Sequence, residues 1–136
     1  MRFDTKIGIV VRDDLAAWQR LNVTAFLAGA VAGGVPGVLG EPYEDASGNR
    51  YPAMFRQPVL VYEAAAEAIV TAHARALARG MDVAVYIEDM FETGHDEANR
   101  ATVRAVAAED MPLVGFAVHG PKNGVDKALK GLRLHP

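Results

Sequence analysis

The sequence predicts an α/β fold, a three-layer α/β/α sandwich in which helices cover both faces of a central sheet of about four strands. Short apolar runs rich in β-branched residues, typical of strands buried on both faces, alternate with longer segments of helical spacing. The strand candidates are residues 7–11, 58–62, 82–87 and 113–118. Because 136 residues with 51% hydrophobic composition are enough for one core, we expect a single domain over residues 1–136.

The first helix follows the first strand and runs from residue 15 to about residue 33. Asp14 stands where a helix N-cap residue is expected, and the Gly-Gly-Val-Pro sequence at 33–36 supplies the stop. Five residues at helical spacing predict a packing face of mostly small side chains: Leu21, Thr24, Ala25, Ala28 and Ala32. Such a face lets the helix approach its neighbours closely.

The middle of the chain predicts a hairpin and then a helix. Residues 38–55 contain several turn-forming residues and indicate a hairpin or an irregular excursion, with a turn at 47–49. After the strand at 58–62, an alanine-rich helix over 63–79 ends at Gly80. This pair forms a strand-helix unit.

The last third of the chain continues the alternation. Thr93, with Asp96 three residues later, has the capping-box spacing of a helix that reaches about residue 107. After the strand at 113–118, Asn123 is placed to cap a short helix, and residues 132–134 close the chain.

Composition and charge narrow the function classes. A formal net charge of −3 gives no overall field that attracts a polyanion, which disfavours RNA as a partner. The absence of cysteine excludes disulfides, thiol catalysis and thiolate metal sites. No secretory signal or membrane span is expected, so the sequence favours a cytoplasmic location. No histidine pair has metal-ligand spacing, and we expect neither a metal nor a cofactor.

Motifs at the two ends and in the middle of the chain resemble those of type II peptidyl-tRNA hydrolases. The opening Arg-x-Asp-Leu of those enzymes matches Arg12-Asp13-Asp14-Leu15. Their Asp-Ala-Gly-x-Thr motif aligns with Asp89-Met90-Phe91-Glu92-Thr93, and their closing Gly-Ile-Gly-Pro with Val118-His119-Gly120-Pro121. The resemblance spans nearly the whole chain outside residues 38–55 and implies a mixed central sheet of the peptidyl-tRNA hydrolase II type.

The helix motif Gly-Lys-x-Ala-Ala-Gln departs from this pattern. With a one-residue shift it aligns with Leu21-Asn22-Val23-Thr24-Ala25-Phe26, which places Asn22 where those enzymes have a catalytic lysine. An asparagine offers amide dipoles instead of a positive charge, although asparagine also serves in oxyanion holes. The amino-acid sequence of this segment is more similar to that of a bacterial family known only as a domain of unknown function, which is assigned the same fold.

The resemblance and the positions of the strand ends together predict which residues form the functional site. Asp89 ends a strand, where open α/β sheets bind ligands, and its alternative role is to cap a backbone amide. His119 also ends a strand and acts as an acid or base in one interpretation, and as a structural histidine in the other. The matched motif positions Arg12, Asp14, Thr24 and Thr93 are expected to contact the ligand.

Three functional hypotheses follow. The first is a relative of the hydrolases that binds a small or acyl-type ligand in a pocket between Asn22, Asp89 and His119, with hydrolysis as a further step. In it, Asp89 polarises water and Asn22 orients the ligand. The second is a non-catalytic binding or regulatory module that forms a homodimer. The third is peptidyl-tRNA hydrolysis by a rearranged site, which requires a continuous positive surface beside the pocket.

Overall fold

The computed structural model describes residues 2–136, so Met1, the first residue of the predicted domain, lies outside it. The strands are β1 (Thr5–Arg12), β2 (Tyr43–Glu44), β3 (Arg50–Tyr51), β4 (Val59–Ala64), β5 (Asp82–Ile87), β6 (Leu113–Pro121) and β7 (Arg133–Leu134). The α-helices are α1 (Ala17–Gly34), α2 (Ala66–Ala78), α3 (Asp96–Arg104) and α4 (Lys122–Ala128).

The main sheet is mixed and has five strands, in the order β5-β6-β1-β4-β7. Strand β1 runs parallel to β4 and antiparallel to β6, which in turn is antiparallel to β5. The four predicted strands are present, and the closing segment adds β7 to the edge of β4 as a fifth. The carboxyl ends of β1, β4 and β5 therefore meet at one edge of the sheet, whereas β6 ends at the opposite edge.

Helices cover both faces of this sheet, as the alternation predicted. Alternate residues of β1 contribute to two separate apolar clusters, so that Ile9 packs on the side of α1 and Val10 on the side of α2 and α4. Helix α3 lies near the edge strand β5, beside the 3-10 helix Glu88–Glu92 that follows that strand. No helix within residues 2–136 is both long and apolar enough to cross a membrane.

The packing face of α1 differs from the predicted one. The buried residues are Val23, Leu27 and Val31, whereas Leu21 and Ala25 point to solvent. The reason is that α1 carries no charged residue after Arg20, so several stripes at helical spacing are equally apolar. Helix α1 lies close to the sheet because Gly115 of β6 has no side chain and leaves room for Val23 and Leu27.

Three predicted helix caps are replaced by other residues. Helix α1 begins after Ala16, whose backbone N–H donates to Gln19 Oε1 at 2.9 Å, and not after Asp14. Helix α3 is capped by His95 instead of Thr93 and ends at Arg104. Helix α4 begins directly after Pro121, so Asn123 lies inside it.

The predicted hairpin is present as β2 and β3, joined through a turn at 45–49. Asp45 organises this turn by accepting hydrogen bonds from the Tyr51 hydroxyl at 2.6 Å, from the side chain of Asn49 and from two backbone N–H groups. These bonds, the one from Tyr51 foremost, lower the pKa of Asp45 to about 2. The hairpin therefore keeps this anchor throughout the physiological pH range.

Candidate functional site

A pocket of about 310 Å³ lies at the sheet edge where β5 ends. It is enclosed by the first half of α1, the 3-10 helix after β5 and the start of α3, and we call it the aromatic pocket. Its lining residues are Trp18, Asn22, Phe26, Tyr86, Met90, Phe91, Thr93, Gly94, His95, Asp96 and Asn99.

Four aromatic rings form the apolar wall of the aromatic pocket. Trp18 meets Phe91 edge to face with ring centres 5.9 Å apart, and Phe26 meets Tyr86 in the same way at 5.8 Å. Tyr86 and Phe91 are 5.2 Å apart and join the two pairs. The side chains of Trp18 and Phe26 are nevertheless 62% and 54% exposed. These two rings therefore offer a large apolar surface that the protein itself does not cover.

The two exposed rings flank an amide. Trp18, Asn22 and Phe26 are spaced by four residues, so they lie on one face of α1 over two turns. Asn22 Nδ2 donates a hydrogen bond of 3.3 Å to the Tyr86 hydroxyl, which belongs to the sheet below. This bond fixes the amide on the floor of the pocket, between the two rings.

Tyr86 supplies a second polar group to the floor. Its side chain is only 4% exposed, and burial raises its pKa above the ordinary value of 10, against a smaller lowering by the bond from Asn22. The hydroxyl therefore stays protonated at physiological pH. Because it accepts from Asn22, its own proton is left to donate.

Thr93, one of the predicted ligand contacts, lines the opposite side of the aromatic pocket. Its hydroxyl donates to the carbonyl oxygen of Met90 at 3.0 Å and also contacts Asn99 Oδ1. These bonds tie the 3-10 helix to α3, so Thr93 shapes the wall of the pocket.

Two ionisable side chains that line the aromatic pocket, His95 and Asp96, form hydrogen bonds with residues of helix α3. His95 Nδ1 accepts the backbone N–H of Ala98 at 3.2 Å, which requires the neutral ring with its proton on Nε2. The carboxylate of Asp96 accepts two bonds from Arg100, at 2.6 and 2.7 Å. In this arrangement the ring of His95 is not available as a general base, and both bonds from Arg100 go to Oδ2 of Asp96.

The structure does not form the predicted pocket between Asn22, Asp89 and His119. Asp89 is exposed on the 3-10 helix and does not line the aromatic pocket. His119 pairs with Asp82 at the opposite end of β5, with its Nδ1 3.1 Å from the carboxylate. The prediction took both residues as strand ends, but β6 is antiparallel to β5, so the two ends lie at opposite edges.

Two further predicted contacts form an ion cluster at the same sheet edge as the aromatic pocket. Arg12 Nε binds Asp14 Oδ1, and a terminal guanidinium nitrogen of Arg12 binds Glu88 Oε1, both at 2.6 Å. Burial lowers the pKa of Arg12, but the bonds to both carboxylates outweigh burial and raise it. The cluster joins the end of β1 to the end of β5.

The last predicted contact, Thr24, lies in a different cavity. Its hydroxyl donates to the carbonyl oxygen of Arg20 at 2.7 Å, within α1. The cavity, of about 630 Å³, lies between α1 and the carboxyl-terminal tail and is mostly apolar. Arg20 closes one side of it through contacts with Leu15, Asp13 and His135.

The aromatic residues of the site were not predicted. Trp18, Phe26, Tyr86 and Phe91 come from three different elements, and only the spacing of four between Trp18, Asn22 and Phe26 signals the pocket in the sequence. Within residues 2–136, no three His, Asp or Glu side chains lie close enough to hold a metal ion.

Comparisons with known proteins give a family and a structural neighbour. Residues 5–136 match the model of a family described as "Protein of unknown function (DUF2000)". The structure is similar to that of a protein of unknown function from Agrobacterium tumefaciens strain C58, with a TM-score of 0.95 and 43% sequence identity. This similarity covers 99% of this chain and 100% of the other. No curated protein matches the chain.

Proposed function

We propose that this chain, which belongs to the DUF2000 family of unknown function, binds a small ligand in the aromatic pocket. One observation carries the proposal: the exposed rings of Trp18 and Phe26 flank the Asn22 amide above the buried hydroxyl of Tyr86. Apolar walls with a few convergent polar groups are the general pattern of small-molecule sites.

The exposed rings of Trp18 and Phe26 provide the binding free energy. Each 100 Å² of apolar surface that a ligand removes from water contributes about 2.5 kcal/mol. Trp18 and Phe26 are both more than half exposed, so a ligand seated between them has such surface to cover. An aromatic ring and a short acyl chain both fit this description.

The second candidate function is hydrolysis of an acyl ligand. In this case the protein would share its fold with type II peptidyl-tRNA hydrolases. The motif resemblance around Arg12 and Asp89 supports it, as does an amide donor on the pocket floor, which is the kind of group that stabilises an oxyanion. Against it, Asp89 lies outside the aromatic pocket, and His95 is occupied as a helix cap. Binding without catalysis is therefore the better supported function.

The direct test of binding uses intrinsic fluorescence, because Trp18 is the single tryptophan of the chain. We expect at least one of three probes (uracil, phenylpropionate and octanoate) to shift or quench its emission in a saturable titration. Phe26→Ala is expected to weaken binding at least fivefold, since it removes one wall. Leu21→Ala is the matched control, because Leu21 is exposed on the same helix but lines the other cavity. Equal binding by wild type and Phe26→Ala contradicts the proposal.

Hydrolysis is tested with peptidyl-tRNA as substrate and Asp89→Ala as the control against a contaminating enzyme. Turnover that is lost in the variant supports the second candidate. No turnover at high protein concentration excludes peptidyl-tRNA as the substrate.

A further inference from the structure

The aromatic pocket does not end at Phe26, because a second cavity adjoins it there. We propose that the two cavities together bind an extended aliphatic carboxylate, a fatty acid of about twelve carbons. Its chain lies in the aromatic pocket and its carboxylate lies at Arg104, the last residue of α3. This inference rests on the proposed function, because the apolar end of the ligand occupies the aromatic pocket.

The first support is that the two cavities form one groove. The second cavity, of about 450 Å³, lies between α1 and α3. It shares five lining residues with the aromatic pocket: Phe26, Tyr86, Met90, Asp96 and Asn99. A single ring occupies only the aromatic pocket, whereas an extended ligand fills the whole groove.

The second support is the apolar surface that this groove offers. Beyond Phe26 the lining is mostly apolar and includes Leu27 and Ala30 of α1, Val85 of β5 and Val103 of α3. Helix α3 has no fully buried residue, so its side chains do not fill the space beside α1. Each methylene group that such a surface removes fully from water raises the affinity by about fourfold.

The third support is the charge of the lining. Asp96 is paired with Arg100, and His95 is neutral while it caps α3. Arg104 also lines the second cavity, and it forms no ion pair with any carboxylate of residues 2–136. The groove therefore carries one uncompensated positive charge, at the end away from the aromatic rings. This favours an anionic head group over a neutral or cationic one.

The fourth support is the length of the groove. Asp96 lines the aromatic pocket, and Arg104 lies eight residues further along α3, which is about 12 Å along the helix axis. An extended chain advances roughly 1.2 Å per bond, so about ten bonds span this distance. Dodecanoate is therefore long enough to reach from Arg104 into the aromatic pocket, and octanoate is not.

The experiment compares chain lengths and head groups by calorimetry and by Trp18 fluorescence, at concentrations below micelle formation. We expect dodecanoate to bind at least tenfold more tightly than octanoate, because its additional methylene groups leave water. Tetradecanoate should gain less than about twofold over dodecanoate, because its further methylene groups extend past the groove. Dodecyltrimethylammonium, which has the same chain and the opposite charge, should bind about fivefold more weakly than dodecanoate.

Two variants locate the ligand in the groove. Arg104→Glu should weaken dodecanoate binding about fivefold and remove the preference for a carboxylate over trimethylammonium. Arg79→Glu is the matched control, because Arg79 is exposed at the end of α2 and lines neither cavity. Ala30→Phe fills the second cavity, so it should weaken dodecanoate binding and leave the binding of phenylpropionate to the aromatic pocket unchanged. An unchanged unfolding temperature is the folding control.

The outcomes separate the two proposals. If phenylpropionate binds but dodecanoate binds no more tightly than octanoate, or if Arg104→Glu has no more effect than Arg79→Glu, the fatty-acid inference is overturned while binding in the aromatic pocket stands. An affinity that keeps rising beyond dodecanoate indicates non-specific partitioning and also overturns the inference. If no probe, uracil included, changes the fluorescence or produces heat, both proposals are overturned. Dodecanoate binding that Phe26→Ala and Arg104→Glu both weaken supports both.

Discussion

At the scale of single residues, Gly115 shows how one missing side chain sets the position of a helix. A Cβ atom built there lies 2.8 Å from the carbonyl oxygen of Val10 and 2.8 Å from Cγ1 of Val23. The first contact is with backbone in the centre of the sheet, which has no room to shift. The position of α1, and with it the aromatic pocket, depends on this close approach.

Gly115→Ala is therefore expected to lower the free energy of unfolding by roughly 1–3 kcal/mol, the usual cost of overpacking a core. Gly29→Ala is the matched control, because a Cβ at Gly29 of α1 meets nothing within 4 Å. Alanine there should stabilise the helix by about 0.5–1 kcal/mol. Urea unfolding of both variants measures the difference, and equal effects of the two substitutions would refute the argument.

A second prediction at this scale concerns His73, which is buried against Phe116 with ring centres 5.7 Å apart. Burial lowers its pKa below the ordinary value of 6.5. Below about pH 6.5 the unfolded chain therefore takes up a proton that the folded protein does not. The stability contribution is fully present above this pH and is lost as the pH falls toward the folded pKa, by up to about 1.4 kcal/mol per pH unit.

The measurement is the free energy of unfolding at pH 7.5 and pH 5.5 for the wild type, His73→Phe and His135→Gln. The wild type and His135→Gln should lose stability between these pH values, and His73→Phe should lose less. A His73→Phe variant with the same pH dependence as the wild type would rule out His73 as the cause.

At the scale of elements, the sequence predicted the sheet well and the helix faces poorly. β-Branched runs place strands within one to three residues, and the strand at 82–87 was predicted without error. The packing face of α1 was wrong because the helix has no charged residue after Arg20 to mark its solvent side. The caps of α1 and α3 were missed because Gln19 and His95, which are outside the usual capping residues, provide the capping hydrogen bonds.

The site was only partly predictable for a related reason. Asn22 and Thr93 were nominated from motif positions and do line the aromatic pocket. His119 was predicted in the same pocket because the sequence of β6 does not indicate its direction in the sheet. In the structure β6 is antiparallel to β5, which places His119 at the opposite edge. The aromatic wall combines α1, β5 and the 3-10 helix, and only the tertiary fold brings these elements together.

At the scale of the whole molecule, the homodimer stays a prediction. Its expected interface is the solvent-facing side of α1, which includes Leu21. Leu21 is 72% exposed, and from Leu21 to Gly34 the helix has no charged residue. A surface without charges imposes no like-charge repulsion when two copies meet about a two-fold axis. The exposed side chains of this segment are all apolar, which is also typical of a helix in a buried position.

We expect analytical ultracentrifugation to show a dimer and Leu21→Glu to give a monomer. Leu77→Glu is the matched control, since Leu77 is an exposed leucine on α2, across the sheet from α1. A monomeric wild-type protein, or dimers that both variants leave intact, would exclude an interface on α1.

The most direct test of ligand binding in the aromatic pocket is amide NMR of the ¹⁵N-labelled protein during a titration with phenylpropionate. We expect saturable shifts concentrated at residues 18–26, at Tyr86 and at residues 90–99, and we expect Asn22→Asp to abolish them. Shifts centred instead on Val61 and His135, which line the cavity by the tail, or on Asp82 and His119 at the other sheet edge, would contradict it.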